Sequence, residues 1–304
     1  MIDILGKRYW LFALSTIIII PGLLILAFGG LPLSIDFTGG TLLEVKFESA
    51  SPAPAQVLAL FQALDLTDVT VQTTDIDTFI IRSSFLDEES REKAITQLEA
   101  EFGETTLLRY DSVGPAIGEQ VTQRAALAVG VAALAVIVYI IFAFRGIQHA
   151  ERYGLMAILA MIHDVAVVFS VAGIGSVFFG WEMDALFLTA LLTVIGFSVQ
   201  DKIVVFDRIR ENANILRRLP YETLVNHSII QTLQRSINTQ LMTVEFLLLA
   251  LALFGGVTLQ QFSVILLIGL LSGTYSSIFI AAPLLVVWEN REWRTWFGRS
   301  ETPA

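Results

Sequence analysis

Six runs of apolar residues lie at about 9–29, 125–144, 155–179, 185–206, 237–255 and 262–288. Each is close to the ~20 residues a helix needs to cross a hydrocarbon layer. A polar stretch of about 90 residues separates the first two runs, enough for one small domain. The remaining connections are short except the one between the fourth and fifth runs. Within the polar stretch the period changes. Residues 33–37 and 41–48 pattern as strands flanking the turn Thr38-Gly39-Gly40. Residues 53–64 pattern as a helix opened by Ser51 and Pro52. Residues 69–73 and 78–83 alternate as strands do. Residues 87–102 are helical, with Asp87 placed to cap and Glu88 and Glu89 suited to the first turn; 105–111 closes as a strand. From Thr41 the order is β-α-β-β-α-β, a split unit of ferredoxin-like type. The predicted fold class is therefore a polytopic α-helical membrane protein with six transmembrane helices and one α+β ferredoxin-like extracytoplasmic domain. It divides into a cytoplasmic N-terminus with the first span (1–30), the extracytoplasmic domain (31–122), spans two to six (123–290) and a cytoplasmic tail (291–304). Within the third of these, 207–235 mixes Arg208, Arg210, Glu211, Arg217 and Arg218 with Ile209, Ile215, Leu216 and Leu219. That mixture predicts amphipathic helices at the cytoplasmic surface, broken near Pro220.

Composition supports the membrane reading. Hydrophobic residues make up 55% of the chain and only 16% are charged, against about 25% charged in an average soluble domain. The net charge of −10 does not describe the whole chain, because the acid is local. Between Asp36 and Glu119 there are 16 Asp or Glu and 5 Lys or Arg. No basic stripe suits nucleic acid. The absence of cysteine excludes disulfides, thiolate chemistry and Cys-based metal sites, and no cofactor is implied. Lys7 and Arg8 before an apolar run imitate a signal peptide, but the run is long and no small-residue cleavage pattern follows it, so it is expected to be a retained helix. Basic residues set the orientation. With the N-terminus inside, Lys7, Arg8, Arg145, Arg152, Lys202, Arg208, Arg210, Arg217, Arg218, Arg235, Arg291, Arg294 and Arg299 fall on inner segments. The short outer loops around 181–184 and 255–261 hold none. Both termini are predicted to be cytoplasmic, and the acidic domain to lie outside.

Ionisable groups inside a span are functional candidates because hydrocarbon solvates them poorly. Four stand out: His163 and Asp164 in the third span, Asp201 in the fourth and Arg235 at the start of the fifth. At the α-helical rise, Asp201 lies about 7–8 Å from the inner end of its span, and His163 and Asp164 lie about 12 Å above the start of theirs. Arg235 sits at the mouth, where its stem can snorkel. All four can meet in the inner half of a bundle, and a carboxylate, an imidazole and a guanidinium are the parts of a proton relay. Burial penalises a charged Asp201 and a nearby Arg235 favours it, so moving Arg235 would make Asp201 take or release a proton. The competing readings are structural: an ion pair of Asp201 with Lys202 or Arg235, and interhelical hydrogen bonds from His163 and Asp164. Glu245 is expected to face a neighbouring helix or a lipid-anchored partner, and Gly269, Gly273, Ser277 and Ala281, four residues apart, to pack against a helix. The GxxxxGK[ST], HExxH and GxSxG patterns are absent, so the chain is not read as an enzyme.

These residues also carry a resemblance. Ser34-Ile-Asp-Phe-Thr-Gly-Gly40 is similar to the G-I-D-F-x-G-G of the SecF family, with Ser34 in place of the usual first glycine. Ile162-His163-Asp164 resembles that family's third-span I-H-D. Gly196-Phe-Ser-Val-Gln-Asp201 with Ile203-Val-Val-Phe-Asp-Arg-Ile-Arg-Glu-Asn212 is the strongest match, and Asn226-His-Ser-Ile-Ile-Gln-Thr-Leu-Gln-Arg-Ser-Ile-Asn-Thr239 the next. SecF is the smaller subunit of the SecD–SecF export complex, in the resistance-nodulation-division superfamily. The resemblance implies proton-motive-force-driven help with preprotein movement through the SecYEG channel, after the SecA-driven step, in a bacterial inner membrane and in partnership with SecD. It assigns proton transport to Asp201 and Arg235, and adds Asp36, Phe37, Gly39, Gly40, Asp207, Arg208 and Asn238 as family-motif positions. Gln200 and Lys202 depart from the commoner Asn and Thr or Ser, and a fixed cation beside Asp201 would favour its charged form. A proton-driven small-molecule exporter of the same superfamily and a passive Sec assembly factor remain the alternatives.

Overall fold

The computed structural model describes residues 3–48, 52–64, 66–73, 78–145, 150–240, 246–254 and 256–293. A 3-10 turn, Leu5–Lys7, leads into α1 (Arg8–Gly29). There follow α2 (Ile35–Thr38), β1 (Gly40–Phe47), α3 (Pro54–Ala63), β2 (Thr70–Thr73), β3 (Thr78–Ser83), α4 (Glu88–Phe102) and β4 (Thr105–Val113). The rest is helical: α5 (Pro115–Ala143), α6 (Ala150–Phe179), α7 (Ala185–Ile215), α8 (Tyr221–Gln240), α9 (Phe246–Phe254), α10 (Gly256–Ser276), a π-helical turn (Ser277–Ala281) and α11 (Ala282–Glu289). The chain forms two compact units, Leu33–Leu127 and the helical remainder.

Five helices among the described residues are long and apolar enough to cross a membrane: Leu5–Gly29, Pro115–Ala143, Ala150–Phe179, Ala185–Ile215 and Leu259–Glu289. A helix satisfies its own backbone groups, which is why such apolar runs adopt it where water is absent. The run at 237–255 is helical at the end of α8 and through α9. Residues 241–245, with Glu245, lie outside the described residues, as do Arg294 and Arg299. The core is dominated by small and branched side chains of α6, α7 and α10, among them Ala157, Ala160, Val168, Ala190, Val194 and Ile265. Two crossings are close enough to require glycine. A Cβ on Gly22 of α1 would stand 2.0 Å from the Ser170 carbonyl oxygen of α6, and one on Gly269 of α10 would stand 2.3 Å from Val194 Cγ2 of α7. The chain breaks between α7 and α8 over 216–220, a segment ending at Pro220.

The smaller unit is a four-stranded sheet of order β2-β3-β1-β4, every neighbouring pair antiparallel. Alternation in β1 puts Leu43, Val45 and Phe47 on one face, and α3 and α4 cover that face with Val57, Phe61, Ala94 and Leu98. A bulge between Glu44 and Val45 shifts the pairing of β1 with β4. Asp87 caps α4, accepting from the Ser90 amide at 2.9 Å. That bond holds its carboxyl below the usual carboxylate range.

One predicted strand is corrected. Residues 33–37 do not form one strand; Leu33 makes only an isolated bridge, Ser34 is extended, and Ile35–Thr38 make the single turn α2. The Ser34 hydroxyl accepts from the Asp36 amide at 3.3 Å, and the Ser34 carbonyl accepts from the amides of Phe37 and Thr38. These local bonds compete with a strand ladder, and Gly39 at φ +73° ends the turn.

Candidate functional site

Asp164 of α6 is wholly buried and accepts five hydrogen bonds. Its Oδ1 receives His163 Nδ1 at 3.0 Å and the Ser272 hydroxyl at 2.7 Å. Its Oδ2 receives the hydroxyls of Ser198 at 2.6 Å and Ser276 at 2.7 Å, and Lys202 Nζ at 2.7 Å. An ionised carboxylate offers about four lone-pair sites, so this one is saturated. Every partner presents a proton to it, which is the environment of a carboxylate rather than a carboxylic acid. Lys202 is equally buried, with both side chains of the pair at 0% exposure. Its ammonium also reaches the Ser198 carbonyl at 2.9 Å and the Ser198 hydroxyl at 2.6 Å. Three protons thus meet three oxygens, as a buried ammonium needs if it is not to be left unpaired.

Helical spacing assembles the cluster. Ser198 and Lys202 are four apart on α7, and Ser272 and Ser276 four apart on α10, so each pair shares a helix face. His163 extends the network towards α1: its Nε2 meets the Ser15 hydroxyl. With Nδ1 donating to Asp164, Nε2 accepts from Ser15 in the neutral ring. The His163 ring stacks on Tyr275 at 6.2 Å, and the Tyr275 hydroxyl donates to the Leu11 carbonyl at 2.8 Å.

Asp201 is buried beside this cluster but has different partners. Its Oδ1 accepts from Ser236 of α8 at 2.8 Å and its Oδ2 from Ser277 at 2.6 Å. Ser277 opens the π-helical turn and directly follows Ser276, so adjacent residues hold the two carboxylates. Such turns recur at functional positions in helices. Both serines have a second acceptor: Ser276 reaches the Gly273 carbonyl at 3.1 Å and Ser277 the Thr274 carbonyl at 2.8 Å. If a carboxyl gains a proton, the serine hydroxyl beside it can turn its own hydrogen to the backbone and accept instead. Among the described residues Asp201 has two hydrogen-bond donors where Asp164 has five.

The four predicted residues are therefore only partly brought together. His163 and Asp164 share one network and Asp201 adjoins it. Arg235 is exposed, and among the described residues no hydrogen bond or ion pair joins it to Asp201. The contact to Asp201 is made instead by its neighbour Ser236, which points a different way from the same helix. The buried cation is Lys202, and it pairs with Asp164, not Asp201. Sequence reasoning missed Ser15, Ser198, Ser236, Ser272 and Ser276, and read Ser277 as packing. The four-residue spacings on α7 and α10 were the available signal.

Residues 93–291 match the family described as protein export membrane protein SecD/SecF, C-terminal, and residues 24–51 match the SecD/SecF GG motif. The chain belongs to the SecD/SecF family. It is 63% identical to the protein translocase subunit SecF of Anaerolinea thermophila, across 100% of this chain and 99% of that one. It is 48% identical to the SecF subunit of Thermobaculum terrenum, with the same coverage. The crystal structure of SecDF from Thermus thermophilus aligns at a TM-score of 0.80 and 33% identity, over 95% of this chain and 39% of the SecDF chain.

The residues of the matched GG motif, and the further positions singled out in the sequence, have places in the fold. Gly39 and Gly40, at φ +73° and +129°, sit where a side chain has no room: a Cβ on Gly40 would stand 2.8 Å from the Ser83 carbonyl oxygen. A Cβ on Gly118 of α5 would stand 2.5 Å from the Gly39 amide nitrogen, and Thr122 donates to the Phe37 carbonyl at 2.9 Å. The stretch that holds Asp36 and Phe37 is thus the corner where α2, β1 and α5 meet. The segments ending at Asn212 and Thr239 join α7 to α8. Asn212 donates to the Ser228 hydroxyl at 2.8 Å and to Gln231 Oε1 at 2.9 Å, and Arg208 Nε reaches the same Gln231 oxygen at 2.7 Å. Asp207 pairs with Arg210 at 2.6 Å, while Asn238 is exposed.

Proposed function

We propose that this chain is a SecF-type subunit of the bacterial inner membrane that uses the proton motive force, together with SecD, to promote preprotein movement through SecYEG after the SecA-driven step. In this reading the chain crosses the membrane six times, the run at 237–255 supplying the sixth crossing, with both termini cytoplasmic. The smaller unit is a ferredoxin-like domain outside, supported by the order β2-β3-β1-β4 and by two helices on one face. The match of this chain to part of a SecDF chain supports SecD as partner.

One observation carries the mechanism: two buried carboxylates are held by adjacent serines that have alternative backbone acceptors. Asp201 takes the proton, Ser277 turns to Thr274, and Asp164 with Lys202 stays as the charged fixed point. A proton crossing a potential of 100 mV releases about 2.3 kcal/mol, which biases a two-state equilibrium about fifty-fold. That is enough to drive a conformational cycle of the outer domain. Arg235 acts in the cycle only if α8 turns or shifts to bring it to Asp201. The test is translocation into vesicles carrying this chain with SecD and SecYEG, with and without an imposed proton gradient. Asp201→Asn is expected to reduce the gradient-dependent increment to the level without a gradient. An unchanged increment would overturn the reading.

A further inference from the structure

We infer that Lys202 is a built-in cation that occupies an oxygen-lined site inside the membrane, and that by filling it the residue excludes sodium and fixes the coupling ion as the proton. This rests on the proposed function and specifies its ion. The argument starts from what surrounds Nζ. Its three hydrogen-bond contacts among the described residues are all oxygens: a carboxylate oxygen of Asp164 at 2.7 Å, a carbonyl of Ser198 at 2.9 Å and a hydroxyl of Ser198 at 2.6 Å. Carboxylate, carbonyl and hydroxyl oxygens are the ligands that hard metal cations take. An ammonium and an alkali-metal ion carry the same charge, and both are held by oxygen lone pairs. The cage is also braced from behind, since Asp164 is fixed by Ser272, Ser276 and His163 and does not depend on Lys202 for its position. The ammonium is tethered and fully enclosed, so it cannot exchange with ions in solution.

With Lys202 present, Asp164 is neutralised internally and no mobile metal ion is needed beside it. Asp201, held by two hydroxyls, is left as the exchangeable acid. With Lys202 shortened to a serine side chain, the Asp164 charge loses its partner and the vacated volume is lined by oxygens, to which the new hydroxyl would add one more. Sodium becomes the available counter-ion.

The experiment is thermal unfolding of the purified full chain in detergent, in sodium chloride against choline chloride of equal strength. Wild type and Lys202→Arg are expected to have the same Tm in both salts. Lys202→Ser is expected to have a lower Tm in choline and to recover in sodium, by about 2–4 °C for each tenfold rise in sodium above its dissociation constant. The double variant Lys202→Ser with Asp164→Asn is expected to lose the sodium response. Sodium-specific stabilisation of the wild type, or a Lys202→Ser protein indifferent to sodium, overturns the inference. Should Lys202→Ser give no folded protein in choline, recovery of folded protein in sodium supports the inference and failure in both salts overturns it. The readout is binding and needs no translocation. If Asp201→Asn leaves gradient-driven export intact, the proton-coupling function fails, while the sodium result still stands or falls independently.

Discussion

At the scale of single residues, the site is an arrangement of hydroxyls around two acids. A hydrogen bond to a charged group contributes about 1.5–3 kcal/mol, and Asp201 has two of them. Ser277→Ala removes one and leaves a buried oxygen without a donor, so the chain should lose stability of about that size. Ser277→Thr keeps the hydroxyl and should retain most of it. Denaturant or thermal unfolding of the two variants side by side separates the hydrogen bond from the change in packing. The acids were legible because a charge interrupts an apolar run, and hydrocarbon makes any such interruption costly. The serines were not, because serine is tolerated in helices by bonding its own preceding turn, as Ser228 does to the Leu224 carbonyl here. A hydroxyl that reaches across to a carboxylate looks the same in a sequence. Lys202 was read as an inner-segment cation and as a partner for Asp201; that it pairs with Asp164 instead depends on where α6 places that acid.

At the scale of elements, the N-terminal turn, α8 and the residues after α11 are tied by Arg8. Its guanidinium bonds Glu222 at 2.7 Å and both carboxylate oxygens of Glu292, and the Ile4 amide donates to Asn226 at 3.0 Å. Burial on its own would push the Glu292 carboxyl up. The hydrogen bonds from Tyr9, Asn290 and Arg8 and the charge of Arg8 outweigh it, and the carboxyl is held below its ordinary 4.5. A depressed carboxyl contributes stability above its unfolded value and loses that contribution as pH falls through the folded one. Hydrogen exchange of Leu5–Lys7 and the first turn of α8, corrected for intrinsic rates, should therefore rise as pH is lowered below about 4.5. Glu292→Gln should show the raised exchange already at neutral pH and no further acid step. None of this was legible in the sequence, because the partners are 214 and 284 residues apart. Local patterns fared better. The α4 cap at Asp87 and the alternation in β1 and β3 fix their own elements, whereas 33–37 had strand-like composition and lost to the Ser34 turn.

At the scale of the whole molecule, the proposed topology follows from the one-sided placement of Lys and Arg. The absence of cysteine makes it directly testable, because a single introduced thiol reports one position without background. Thr96 on α4 is exposed, as is Asn214 near the end of α7. Neither belongs to the buried clusters, so cysteine there should fold normally. The Asn214 side chain donates to the Arg210 carbonyl at the long distance of 3.4 Å, a bond whose loss costs little. In intact cells with a permeable outer envelope, a membrane-impermeant maleimide should label Thr96→Cys at once. Asn214→Cys should react only after the inner membrane is opened. The pairing matters because each single result has a trivial explanation: an unreactive thiol can be sterically shielded, and a reactive one can reflect leaky cells. Opposite behaviour of the two in the same preparation has neither. The reverse order, with Asn214→Cys labelled at once and Thr96→Cys only after the membrane is opened, would put the short basic segments outside and the smaller unit inside, and would overturn the proposed topology.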